Sequence, residues 1–261
     1  MRFGTQITWL LATAGALTSA QSGSSSSATA TSSSAAASSS SATASCALTS
    51  ADSSVLQYSF AISKFLTNFY ASVAINSSVA SQVSNGSSES NVLANLQGIA
   101  NANNLTIEAI GELASKISGF SEPSCSYTYP SVSSIQTLVK YAYQFESTLA
   151  GAFIGAAGYT TSPEVSFLLA RLAAQHASQA TYIGARVNST MFLANSNSLI
   201  AAYLPSTVLS TSNSTGSLGS YLGGCVSAPS SPCGTLKVGP LEANLTSSSL
   251  AARSFATHLH V

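Results

Sequence analysis

Residues 135–153 read IQTLVKYAYQFESTLAGAF. Ile135, Leu138, Val139, Ala142, Phe145, Leu149 and Phe153 fall at steps of three and four, the spacing that brings side chains onto one face of an α-helix. Glu146 stands directly beside Phe145 on that apolar stripe, where a charged residue needs a reason to be. The same period recurs in three other places. Val55, Tyr58, Ile62, Phe65, Leu66, Phe69 and Val73 mark a helix before it, and Val92, Leu96, Ile99, Ile107, Ile110 and Ala114 mark a second. Val165, Leu168, Leu169, Leu172, Ala180, Ile183 and Val187 mark a helix after it, with an extension as far as Tyr203 open. Helices of about 25 residues would each be about 38 Å long, enough for one shared core. The pattern predicts an all-α, up-down four-helix bundle over residues 46–204.

The boundaries agree. Ser162-Pro163-Glu164 puts a capping hydroxyl, a first-turn proline and an acid where a helix N-terminus favours each. Ser84-Asn85-Gly86-Ser87 and Glu122-Pro123-Ser124 carry loop chemistry.

Outside the bundle the composition changes. Residues 1–20, MRFGTQITWLLATAGALTSA, have a basic start at Arg2, an apolar run from Ile7 to Leu17 and small residues at Thr18-Ser19-Ala20. That is the form of a secretory signal peptide, and the run is shorter than the roughly 20 residues a membrane-spanning helix needs. Residues 21–45 are almost wholly Ser, Ala and Thr, with nothing to bury, and read as a disordered, O-glycosylated or bare linker. Residues 205–261 are rich in Ser, Thr, Gly and Pro and read as an irregular, partly ordered tail containing a small cysteine loop.

Eight basic and eight acidic residues, 6% of the chain with its net charge of zero, leave no electrostatic footprint for nucleic acid or anionic lipid. No membrane span is expected after the leader. Glycans would supply the missing hydration: Asn-x-Ser/Thr sequons occur at Asn76, Asn85, Asn104, Asn188, Asn213 and Asn244, and at least half are expected to be modified. Cys46, Cys125, Cys225 and Cys233 are an even set in an exported chain, which allows three disulfide pairings. In an up-down bundle the first helix begins where the second ends, so Cys46–Cys125 is predicted, leaving Cys225–Cys233 to close a short loop.

A resemblance sharpens the fold. QFESTLAGAFIGAAGY at 144–159 looks like the third-helix signature of secreted ferritin-like proteins of the fungal stress-response and plant desiccation-related kind. LLARLAAQHASQATY at 168–182 resembles the fourth helix of that family and LQGIA at 96–100 its second. The resemblance implies a di-iron centre, with one Glu from each of two helices and Glu-x-x-His from each of the others. Carried onto this chain, the ligand positions read Glu146, Ser63, the pair Asn103 and Thr106, and the pair His176 and Gln179. One carboxylate stands where the pattern wants four, and neutral oxygens do not neutralise two iron ions in a dry core. Ferroxidase activity and a resident cofactor are therefore not expected. A hydrogen bond between Glu146 and His176, extended by Gln179, Asn103 and Thr106, would satisfy the group, and a single zinc or copper ion at the remnant is the alternative.

Two weaker candidates complete the search: His258 and His260 as a terminal chelating pair, and Tyr127, Tyr129, Tyr141 and Tyr143 as a carbohydrate-stacking face. No nucleophile elbow or phosphate loop is present. The expected protein is secreted, extracellular or cell-wall bound, not an enzyme, and stress-related by resemblance. A metal-binding or redox protein and a protein recognising wall polysaccharide or a host component are the alternatives.

Overall fold

The computed structural model describes residues 47–84, 88–187 and 201–232. The leader, the Ser/Ala/Thr tract, Cys46, Cys233 and the terminal histidines lie outside these residues. Among the described residues all regular structure is helical. Four long helices form the bundle: α1 (Ser50–Ala71), α3 (Glu89–Ala114), α4 (Ile135–Ala156) and α5 (Pro163–Val187). A short α2 (Ser77–Val83) precedes α3, and single-turn helices α6 (Pro205–Val208) and α7 (Gly219–Leu222) follow α5. Among the described residues no helix is long and apolar enough to cross a membrane.

Local chemistry sets the helix starts. Thr49 and Asp52 form a capping box, with the Thr49 N–H donating to Asp52 Oδ2 at 2.7 Å. Ser134 Oγ accepts the N–H of Thr137 at 3.1 Å to open α4. Before α5, Ser162 Oγ accepts the N–H of Val165 at 3.4 Å and Pro163 takes the first helical position, as the sequence indicates.

Pairwise contacts give the helix directions. Gln57 bonds Ser121 O just beyond α3 while Thr67 bonds Asn103 O, so α1 and α3 are antiparallel. Asp52 at the start of α1 accepts from the Thr160 hydroxyl just before α5, so α1 and α5 are parallel. α4 and α5 are a hairpin joined through the 3-10 turn Ala157–Tyr159. It follows that α3 and α4 run the same way, and the link 115–134 is a crossover along the length of the bundle. Phe65, Phe69, Phe145, Phe153, Leu169 and Ile183 are fully buried between the helices.

The segment after residue 200 is part of this core. Tyr203 is not helical, which ends any continuation of α5 before it. It lies across α4, its N–H donating to Gly151 O at 2.9 Å. A Cβ on Gly155 would sit 1.9 Å from the Tyr203 carbonyl oxygen, and one on Gly151 2.5 Å from the Tyr203 ring. Val208, Leu218 and Leu222 are buried beyond it. The glycines of the 144–159 signature thus make room for a strap.

The strap also corrects the disulfide pairing. Cys125 is bonded to Cys225, with Cα atoms 5.1 Å apart across a separation of 100 residues. The physical reason is that the crossover is lined by the strap: Thr128 N–H donates to Tyr221 O at 3.0 Å and the Thr128 hydroxyl to Ser220 O at 3.1 Å. Neither Cys46–Cys125 nor Cys225–Cys233 is compatible with that bond. Closing a loop of this length restricts the unfolded chain by about 4.7 kcal/mol in the entropy model.

Two predictions follow from the packing. Gly155→Ala, which meets strap backbone, is expected to lose about 1–3 kcal/mol, whereas Gly98→Ala, with open space on α3, should gain about 0.5–1 kcal/mol; denaturant unfolding of both variants measures the contrast. For Asp52, burial alone would raise the carboxyl, but bonds from Thr160, Thr49 and Ser162 outweigh it and hold the group below its ordinary 3.8. The unfolded chain therefore takes the proton first, so this stability is complete above about pH 4 and is lost as pH falls through the lower folded value. Asp52→Asn should flatten the acid limb of a stability-against-pH curve below pH 4; a limb of unchanged slope would contradict it.

Candidate functional site: a buried polar centre

Helix α4 carries Glu146 into the centre of the bundle, where it is wholly buried. A carboxylate there must find donors close by, since leaving it unpaired costs several kcal/mol. Each of the other long helices supplies one. The Tyr70 hydroxyl of α1 donates to Glu146 Oε1 at 2.9 Å, and Asn103 Nδ2 of α3 donates to the same oxygen at 3.0 Å. His176 Nδ1 of α5 meets Glu146 Oε2 at 2.5 Å. Phe153 stacks on the His176 ring at 5.4 Å between centroids, and Phe145 packs edge-on against Phe69 at 5.0 Å, so the polar groups sit within an aromatic wall.

The predicted Glu146–His176 bond is therefore present, and Asn103 joins it. Thr106 does not reach the carboxylate: its hydroxyl donates to Ala102 O at 3.2 Å and accepts from Gln175 Nε2 at 3.0 Å. Gln179 is buried, but its Oε1 has no partner, as is also true of Ser63 Oγ, Asn103 Oδ1 and His176 Nε2. Tyr70 was not anticipated. Its signal was the step of seven from Ser63, which returns to nearly the same helix face. Burial first, then the Glu146 charge and the bond to it, push the Tyr70 phenol well above its ordinary 10.0, so it stays a donor across the physiological range.

The chain around this centre matches a known family. Residues 51–189, more than half of the chain, match the family model described as a ferritin-like domain. The chain belongs to the ferritin-like domain family. No curated protein and no solved structure matches it.

The donor set of this ferritin-like bundle does not fit the pair of metal ions that its fold implies. Both oxygens of the one central carboxylate are engaged by Tyr70, Asn103 and His176, and the imidazole turns Nδ1 to that carboxylate. Among the described residues no three His, Cys, Asp or Glu side chains come together to hold a metal. The remaining groups are neutral oxygens and one ring nitrogen, too little charge for two hard cations.

The tyrosines are engaged in packing. Tyr129 stacks on Phe65 at 5.5 Å and Tyr141 on Phe145 at 5.8 Å, while the Tyr127 hydroxyl donates to Ala61 O at 3.1 Å. Tyr143 is half-buried against the core. Of the sequons, Asn76, Asn104 and Asn213 are exposed. Asn76 caps α2 through Oδ1, which leaves Nδ2 available. Asn85, Asn188 and Asn244 lie outside the described residues.

Tyr70→Phe removes one of the two donors to Glu146 Oε1 and is expected to cost about 1–3 kcal/mol. Glu146→Gln should cost no more than about 1–2 kcal/mol, because an amide oxygen still accepts from Tyr70 and Asn103 and a change of His176 tautomer accommodates its N–H. Glu146→Leu strands His176, so combining it with His176→Leu should recover stability relative to either single change. Thermal unfolding of the set reads the outcome, and purely additive losses in the double variant would break the linkage.

Proposed function

We propose that the protein is a secreted, non-catalytic ferritin-like protein of the extracellular space or cell wall, in which the polar centre holds helices together. The observation that carries this is the single carboxylate of Glu146, both of whose oxygens are engaged by protein groups from the three neighbouring helices. The leader-like residues 1–20, the Cys125–Cys225 disulfide and the exposed sequon asparagines favour export. The likeness of the α4 and α5 sequences to fungal stress-response and plant desiccation-related proteins favours a stress-linked role among wall polysaccharides and other extracellular components.

One observation favours a second reading, a single bound zinc or copper ion. His176 turns Nδ1 to a carboxylate and leaves Nε2 buried and unpartnered, the orientation of many metal-ligating histidines.

Elemental analysis of the secreted protein, with thermal unfolding in the presence and absence of chelator, separates the two. The expected result is no stoichiometric iron, copper or zinc and an unfolding temperature indifferent to chelator. A chelator-sensitive wild type whose sensitivity vanishes in Glu146→Gln would overturn the non-metal reading. Glycosidase treatment should lower the apparent mass of the secreted form, and an unchanged mass would remove the support drawn from the sequons.

A further inference from the structure

The strap and the crossover meet along one seam, closed by the backbone bond from Thr128 to Tyr221 and by the Cys125–Cys225 disulfide. Beside that seam a groove of about 620 Å³ opens between the first turns of α1, the start of the crossover and the end of the strap. Gln57 Nε2 ties one wall by donating to Ser121 O at 3.0 Å. Cys225 lines the groove together with Ser54, Glu122, Pro123 and Ser227, and Cys125 does not. Of the two bridged residues it is therefore Cys225 that borders the groove. On the far side of the seam, Tyr221 stacks on Phe65 at 5.5 Å and packs edge-on against Phe145 at 5.6 Å, which closes the aromatic wall around the polar centre.

We propose that Cys225 is a thiol–disulfide exchange site, entered through this groove by the thiolate of a small dithiol, and that exchange there unlocks the strap. The incoming sulfur attacks Cys225 Sγ. A mixed disulfide forms as the Cys225–Cys125 bond breaks, and the electron pair leaves on Cys125 Sγ, which takes a proton from water. The second thiolate of the dithiol then attacks the first sulfur, expels Cys225 as a thiolate and closes the reagent into a cyclic disulfide. The dithiol is oxidised by two electrons and the protein disulfide reduced by two.

Three features make this more than a loss of stability. The disulfide joins the crossover to the strap, so its cleavage leaves the α1, α3, α4 and α5 packing in place. The strap is then held by the Tyr203 contact with Gly151 and Gly155, by the Thr128 bonds to Tyr221 and Ser220, by Tyr221 on Phe65 and Phe145, and by Val208, Leu218 and Leu222, a set separate from the contacts among the four long helices, so it can open as a unit. Lifting Tyr221 removes one aromatic cover from Phe65 and Phe145, which Tyr129 and Tyr141 still flank, so the redox state controls part of an apolar surface over the polar centre. Glu122, a carboxylate on the groove, disfavours thiols that carry negative charge beyond the reacting thiolate.

The experiment uses the wild-type oxidised full chain, so nothing depends on a cysteine variant folding. Neutral dithiothreitol is added under native conditions while far-UV circular dichroism follows the bundle. Alkylation mapping follows the release of Cys125 and Cys225. The expected result is release with the helical signal unchanged, new protease cuts confined to 201–232, and increased binding of an apolar dye. Glu122→Gln should speed reduction by glutathione, whose reacting thiolate form carries one more negative charge than that of dithiothreitol, about threefold more than it speeds reduction by dithiothreitol at low ionic strength, the size of one weakly screened charge contact. Release only at the rate of global unfolding, or a reduced protein with the protease pattern and dye binding of the oxidised one, would overturn the proposal. Equal effects of Glu122→Gln on both reagents would overturn the groove as the entry route.

Discussion

The buried carboxylate of Glu146 constrains the rest of the bundle. Its two oxygens must be met by donors, and with water excluded by Phe145, Phe153 and Phe69 those donors have to come from other helices. Tyr70 sits in the last turn of α1, Asn103 past the midpoint of α3 and His176 midway along α5. Bringing all three to one carboxylate fixes the rotation and the axial position of each helix. Thr67 reinforces that register by donating to the Asn103 carbonyl, one turn before Tyr70 on α1. Apolar packing alone tolerates sliding and repacking; a hydrogen-bonded centre does not.

Helix α4 answers a second demand at the same time. One of its faces presents Phe145, Leu149 and Phe153 to the other helices, and another presents Gly151 and Gly155 to Tyr203 of the strap. It is covered nearly all round, which is why its sequence is apolar or small beyond a single stripe. The bundle is thus closed by five elements, with the strap as the fifth, and the disulfide joins that strap to the crossover and leaves the helices unbridged.

The same fold can carry a metal centre or a purely organic one, and the side chains decide which. Here phenol, amide and imidazole engage both oxygens of the Glu146 carboxylate. Fold and function separate at four positions on four helices. Ser63, Gln179 and Asn103 keep buried oxygens without protein partners.

The sequence by itself determined the four long helices, the start of α5 and the inward face of Glu146. Those follow from periodicity and from capping residues within one turn, such as Ser162 with Val165, and local spacing is fully written in the chain. Asn103 was legible only through the family resemblance, which carried the ligand positions onto the chain. Only the tertiary structure decided that Tyr70 reaches Glu146, that Thr106 turns to Gln175 instead, and that Cys125 pairs with Cys225. Each of these depends on where a distant segment lies: the approach of α1 to α4, the lean of α5 on α3, and the strap drawn along the crossover. The strap was hidden because its order comes from contacts with Gly151, Gly155 and Thr128. Its own sequence has no helical period, and segments ordered by what they touch leave no regular trace in the chain.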